Sequence, residues 1–68
     1  MYIRVQLLTG YREYLWYACP REWDQASLIG SLVRVPLRKQ NVPALVLAKQ
    51  RSKPDVPFEL RDAVGLEP

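Results

Sequence analysis

The 68-residue sequence contains no histidine and one cysteine, Cys19. A single cysteine cannot form an internal disulfide, and a Cys/His metal cluster is not expected without partners. Because no histidine is present to activate it, Cys19 is interpreted as a small buried apolar residue rather than a nucleophile. Two carboxylate pairs, Glu22 with Asp24 and Glu59 with Asp62, lie in mixed polar segments typical of solvated surfaces. We therefore expect a non-catalytic domain that needs no metal and no cofactor.

Long apolar runs are also missing. No segment approaches the roughly 18 apolar residues of a membrane span, and residues 1–8 lack the features of a secretory signal. The composition, 49% hydrophobic and 25% charged, is typical of a soluble folded domain. A chain of this length buries only about 60% of its unfolded surface. We therefore expect one small cytosolic domain over residues 1–68, with no membrane contact.

Acidic residues are absent from the middle of the chain. Residues 31–53 contain six Lys or Arg and no Asp or Glu, which gives this stretch a net charge of +6. Residues 54–68 contain one Arg and four carboxylates, a net charge of −3. Two interpretations remain open for the basic stretch. It is either solvated charge that protects sheet edges from self-pairing, or a surface that binds a polyanion.

What the chain does contain is a series of short apolar segments with the period of β-strands. Ile3, Val5 and Leu7 alternate with polar residues, which predicts a half-buried first strand that ends before a turn at Gly10. Residues 21–28 suggest a loop or one helical turn. Further strands are predicted over residues 14–19, 32–37 and 43–49, with a short fifth strand around 62–66. Several short strands, six prolines and no helical period favour a mostly-β, five-stranded barrel of the OB-like or SH3-like kind.

The same alternation predicts a core. Its expected members come from the first four strands, and Trp23 is expected to pack inward with them. The members are Ile3, Val5, Tyr17, Val33, Val35, Leu45 and Leu47.

The segments "YLWYACP" and "IGSLVRVPLRKQNVPALVLAKQ" resemble the start of the bacterial primosomal helicase family PriA. That family has Tyr-x-x-Pro, an apolar-Gly turn, Val-x-Val-Pro-Phe-Gly-Lys/Arg, Gly-Ile-Val-Val and an exit ending in Glu-Pro, in this order. The resemblance covers nearly the whole chain. The matching positions are Tyr17, Pro20, Gly30, Val33, Val35, Pro36, Lys39 and residues 44–47.

The resemblance implies a DNA-binding domain that recognises the 3′ end of a nascent strand at a stalled replication fork. It also implies the N-terminal subdomain of a longer replication-restart helicase, in the bacterial cytoplasm with the nucleoid. The expected partners are single-stranded or forked DNA and the remainder of the parent helicase. No Gly-x-x-x-x-Gly-Lys-Ser/Thr loop for ATP phosphates occurs here. The alternative is a protein-interaction barrel that docks on a partner, or on its own helicase core, without contacting DNA.

The resemblance places the family's pocket on Leu15, Trp16, Arg38 and Arg61. Trp16 stands where the family has Asp, and an indole cannot accept a hydrogen bond from a terminal base or hydroxyl. Arg38 stands where the family has Gly. We therefore expect the two arginines to bind the phosphate backbone, without strong reading of a free 3′ end.

Lys39 and Arg34, from the basic stretch, complete the expected DNA-binding residues. The turn at residues 38–39 is expected to lie next to the second strand, on the same side as Trp16. In that strand the family pattern favours Leu15 and Tyr17 inside, with Trp16 partly exposed and available to stack on a base. Packing of Trp16 against Trp23 remains the alternative.

Overall fold

Five strands and one 3₁₀ turn make up the regular structure of residues 1–8, 14–57 and 59–67, the parts of the chain that the computed structural model describes. The predicted strands are all present, and the predicted helical turn is the 3₁₀ turn. The expected turn at Gly10 lies outside the described residues. The elements are β1 (Tyr2–Leu7), β2 (Tyr14–Ala18), the 3₁₀ turn (Arg21–Trp23), β3 (Leu32–Leu37), β4 (Gln40–Gln50) and β5 (Gly65–Leu66).

The strands form one antiparallel sheet in the order β2-β1-β4-β3-β5. The prediction of a small, mostly-β, five-stranded domain is confirmed, but the sheet does not close into a barrel. Because β5 has only two residues, it offers no ladder to the opposite edge. The two ends of the sheet meet at one parallel bridge between Ala18 and Asp62. Here the Ala18 N–H donates to the Arg61 carbonyl at 2.9 Å, and the Ala63 N–H donates to the Ala18 carbonyl at 2.8 Å.

Strand β4 begins three residues earlier than predicted, because Pro43 lies inside the strand rather than at its start. Proline has no N–H to donate to a ladder. Its carbonyl still accepts a hydrogen bond from the Leu8 N–H at 3.1 Å, so β4 pairs on both sides here. The β3–β4 hairpin closes with Leu37 paired to Gln40.

In the described parts of the chain, eleven buried hydrophobic residues form the core. It includes five of the seven expected members and, as expected, Cys19. The prediction for Leu45 and Leu47 is wrong, since both are half-buried. The core residues are Ile3, Val5, Leu7, Tyr17, Cys19, Leu28, Val33, Val35, Val42, Ala44 and Val46.

The register of the hairpin explains the error in β4. Val33 lies opposite Ala44 and Val35 lies opposite Val42, and directly opposed residues point to the same face of a sheet. The even-numbered residues of β4 therefore enter the core beside β3. Leu45 is one residue out of this phase and lies on the outer face, opposite Leu32 of β3.

A β-bulge then changes which residues of β4 point toward the core. Arg4 pairs with Ala48 whereas Val5 pairs with Val46, so Leu47 is the extra residue. A bulge bends its strand and increases the local twist. Beyond it, Lys49 lies opposite Ile3, next to the 3₁₀ turn. Trp23 of that turn is only partly buried, although it packs against the core, so its expected core position is met in part.

Within the described ranges, no helix has the length and apolar character needed to cross a membrane.

The register of β4 can be tested with one pair of neighbouring substitutions. Val46→Ala should lower the free energy of unfolding by about 2 kcal/mol, because it removes two buried methyl groups and leaves a cavity. Leu45→Ala removes more atoms but should cost clearly less, because Leu45 is half-exposed. Urea unfolding of both variants measures the difference. A larger loss for Leu45→Ala would mean that the strand is paired one residue out of register.

Candidate nucleic-acid interface

A cleft opens beside the point where the two ends of the sheet meet. Three segments that are distant in the sequence line it: residues 15–17 of β2, residues 36–38 at the end of β3, and residues 59–61 before β5. Its volume is about 230 Å³. Among the described residues one bridge joins the ends of the sheet, and the cleft lies where the walls separate beyond it.

The four positions that the family resemblance assigned to a pocket all line this one cleft: Leu15, Trp16, Arg38 and Arg61. The turn that carries Arg38 thus lies on the same side of the domain as Trp16. Leu15 packs against the core, and Trp16 is half-buried.

The other two predicted residues lie elsewhere. Lys39 is exposed in the turn and is not among the residues that line the cleft. Arg34 is on the outer face of β3, where its guanidinium forms an ion pair with Glu67.

Tyr17 joins the two long walls of the cleft. Its side chain is 5% exposed, and its hydroxyl donates a hydrogen bond to the Pro36 carbonyl at 2.8 Å. Burial raises the pKa of the Tyr17 phenol, and the nearby positive charge of Arg61 partly opposes this rise. The phenol therefore stays protonated at neutral pH and keeps its donor. Neither Tyr17 nor Pro36 was among the predicted site residues, although both belong to the motifs that carry the resemblance.

Arg61 approaches the turn from the third wall. Its Nη1 lies 3.5 Å from the carbonyl oxygen of Arg38, a long contact on an exposed side chain. Arg38 itself has a φ of 57°, in the left-handed region that favours glycine over residues with a Cβ. The hairpin thus carries a large basic side chain at a backbone position that suits Gly. Gly is the residue that the family pattern has there.

Charge and shape divide the cleft into two kinds of surface. Arg38 and Arg61 contribute two positive charges and Glu59 one negative charge, so the ionisable lining nets +1. Leu15, Trp16 and the other apolar lining residues provide flat hydrophobic walls. Guanidinium groups bind phosphate oxygens in a bidentate manner, and an indole stacks on nucleobases. The arrangement therefore suits a ligand that has a phosphate and a planar ring.

Half of the basic residues in the stretch 31–53 are paired with carboxylates, which the sequence alone did not reveal. Lys49 Nζ lies 2.7 Å from Asp24 Oδ1, and an Arg51 nitrogen lies 3.7 Å from Asp24 Oδ2. The hydrogen bond from Lys49, together with the positive charges of Lys49 and Arg51, lowers the pKa of Asp24. With Arg34 bound to Glu67, three of the six cations in residues 31–53 meet carboxylates from outside that stretch. These three cations share two carboxylates, Asp24 and Glu67, so the field of the stretch is weaker than its sequence charge.

A small open β-sheet with a basic and aromatic cleft has the features of a nucleic-acid-binding domain. The comparison with protein families specifies which one: the model of the PriA 3′ DNA-binding domain (3′BD) matches residues 4–66. The chain belongs to this family, and the resemblance drawn from its motifs is confirmed. It is thus a DNA-binding domain of the PriA type rather than a catalytic one. Searches of curated proteins and of solved structures gave no match.

The left-handed backbone of Arg38 leads to a prediction about stability. Arg38→Gly and Arg38→Ala both remove the basic side chain, but only Gly adopts a positive φ without steric cost. We expect Arg38→Gly to be more stable than Arg38→Ala by about 1 kcal/mol, measured by urea unfolding. Equal stability of the two variants would show that the turn does not require the positive φ.

Proposed function

We propose that this domain binds single-stranded DNA by holding one nucleotide, at or next to a strand end, in the cleft between residues 15–17, 36–38 and 59–61. The observation that carries the proposal is the convergence of Trp16, Arg38 and Arg61 on one cleft in a chain of the 3′ DNA-binding family.

The size of the cleft supports a small part of a DNA strand as its ligand. Its volume of about 230 Å³ is below the roughly 300–1,000 Å³ of sites for drug-sized molecules. A single base fits this space better than a base pair does. In the proposed complex the base contacts Leu15 and Trp16, and the adjoining phosphate accepts hydrogen bonds from Arg38 and Arg61.

The chemistry of the residues that line the cleft determines whether it can recognise a free 3′ hydroxyl. Trp16 has a donor and no acceptor, and Glu59 is the carboxylate that lines the cleft. Glu59 is exposed and outnumbered by two arginines. We therefore propose that the cleft accepts a strand end through stacking and phosphate contacts, and that it discriminates weakly between a terminal hydroxyl and a terminal phosphate.

Family membership supports a wider setting for this activity. We propose that the domain acts within a longer primosomal helicase in the bacterial cytoplasm and brings it to forked DNA at stalled replication forks. The DNA-binding character of the family supports this role, and the helicase chemistry then belongs to the rest of that protein.

A second function, protein docking, has one observation in its favour. Leu8 is 52% exposed and Leu32 is 40% exposed. Both lie on the outer face. Leu32 is opposite Leu45, and the Leu8 N–H donates a hydrogen bond to the Pro43 carbonyl. These three leucines are not among the residues that line the cleft. A folded chain that fails to bind single-stranded DNA even at low salt would favour docking over the proposed function.

The salt dependence of binding tests the role of the basic turn. If the domain contacts about three phosphates, the slope of log affinity against log salt should be near −2 for single-stranded DNA. Replacing both Arg38 and Lys39 by Ala should weaken binding to all sequences alike and flatten the slope, because phosphate contacts carry no sequence information. Fluorescence titrations of labelled oligonucleotides at several salt concentrations measure both quantities.

Arg51→Ala is the matched control for this experiment. It also removes an arginine, but its side chain is 82% exposed and lies near Asp24, away from the cleft. An effect of Arg51→Ala equal to that of the turn variant would contradict a phosphate site at the turn.

The chemistry of the strand end gives a separate test. We expect oligonucleotides with a 3′ hydroxyl and with a 3′ phosphate to bind with affinities within about threefold, or less than about 0.7 kcal/mol. Trp16→Ala should weaken both by about 1 to 3 kcal/mol, the usual worth of one stacked base, without changing the salt slope. A strong preference for the free hydroxyl would contradict the expectation. Its loss in Glu59→Gln would then identify the carboxylate as the group that reads the end.

A further inference from the structure

The outer surface of β1 and β2 carries an aromatic and basic group of residues that adjoins the cleft. Arg4 lies opposite Trp16 and Gln6 lies opposite Tyr14, so these four side chains share one face of the sheet. The Arg4 Cζ lies 5.3 Å from the centre of the Tyr14 ring, within the range of a cation–π contact. Tyr14 is 57% exposed, and Trp16 also lines the cleft. The surface and the cleft are therefore continuous through Trp16.

The charge on this surface has one sign. None of the residues in β1, β2 and β4 is acidic, and the described carboxylates lie outside the strands. Among the described residues Arg4 has no carboxylate partner, in contrast to Arg34, which is bound to Glu67. On its other side Arg4 faces the small Ala48. The Arg4 guanidinium is thus exposed beside an exposed ring, and no described carboxylate neutralises it.

We propose that the DNA strand whose nucleotide occupies the cleft continues along β2, where another base stacks on Tyr14 and Arg4 contacts one of the phosphates between the two bases. This second contact rests on the proposed function. Tyr14 and Trp16 are two residues apart in one strand, which separates them by about 6.8 Å. That distance equals about two steps of stacked nucleotides at roughly 3.4 Å each. A stacking residue followed by a cation and a second stacking residue is the arrangement found in sequence-tolerant single-strand binding sites.

The protein–protein explanation of the same surface is less well supported. Aromatic residues and Arg are also enriched at protein interfaces, but the apolar side chains with the largest exposure on the outer face, such as Leu8 and Leu32, lie toward β3 and β4. The surface at Tyr14 is distinguished by a cation that has no carboxylate partner in the described parts of the chain, and by its continuity with the cleft.

The test combines protein variants with two DNA ligands. The first ligand is a pentathymidylate, and the second is the same strand with abasic sites at its three central positions. Both keep a base at each end and the same phosphates. Tyr14→Ala should weaken binding of the first ligand at least about fivefold and leave binding of the second unchanged. Tyr14→Phe, which keeps the ring, should retain the affinity of the unaltered chain for both ligands.

Arg4→Gln tests the phosphate contact. It should reduce the magnitude of the salt slope by about 0.7 for both ligands, the value expected for one phosphate of a single strand. Urea unfolding of the Tyr14→Ala and Arg4→Gln variants establishes that each is folded under the binding conditions. If both variants lose stability but keep their affinity for DNA, the contact between Arg4 and Tyr14 is purely structural. That result would overturn the proposal.

Arg61→Ala separates this proposal from the one on which it rests. If Arg61→Ala weakens binding of both ligands while Tyr14→Ala weakens neither, the cleft binds DNA and only the second contact is refuted. If none of the variants affects either ligand, the cleft itself is not the DNA site. If Tyr14→Ala weakens both ligands equally, Tyr14 does not stack on a central base, and the proposal is again refuted.

Discussion

The hydrogen bond from the Tyr17 hydroxyl to the Pro36 carbonyl is the contact on which the shape of this domain depends. It joins β2 to β3, although two other strands, β1 and β4, lie between them in the sheet. Such a bond forms only if the sheet coils until its distant strands face each other. The bulge at Leu47 supplies part of that curvature, because an extra residue on one strand increases its twist. The bond therefore sets the distance between two walls of the cleft.

Electrostatics in this domain depends on contacts that are remote in sequence. Asp24, from the segment after β2, meets Lys49 and Arg51 at the end of β4, and Glu67 meets Arg34. These pairs are exposed or only partly buried, and such pairs add little to stability. Their larger effect is on where the positive potential lies, since they offset part of the charge on both sides of the turn and leave Arg38 and Lys39 without a carboxylate partner among the described residues.

The sequence predicted the strands with clear alternation well. In β1 and β3, apolar residues recur at every second position around a central Arg, and both the bounds of β3 and its buried residues, Val33 and Val35, agree with the structure. Strand β4 was harder because residues 42–48 are apolar throughout, so either phase satisfied the pattern. Its bulge then changes the phase within the strand, which no alternation rule anticipates.

The candidate site was likewise predicted only in part from the sequence. The cleft joins residues about 20 positions apart in the chain, and no local pattern predicts that convergence; only the order of family motifs pointed to Leu15, Trp16, Arg38 and Arg61. The pairing of Arg34 with Glu67 and the contact of Arg4 with Tyr14 depend on strand register and tertiary packing. They became visible only with the structure.

The incomplete closure of the sheet has a consequence for how folding and ligand binding are linked. Beyond the bridge at Ala18 and Asp62, the seam between the ends of the sheet is held mainly by side chains, and a chain of this length has little stability in reserve. A ligand that contacts all three walls would act as a cross-link over that seam. Because it would bind the closed form and not the unfolded chain, it would raise the free energy of unfolding with the logarithm of its concentration. Ligand binding in the cleft and folding of the domain would then be thermodynamically coupled.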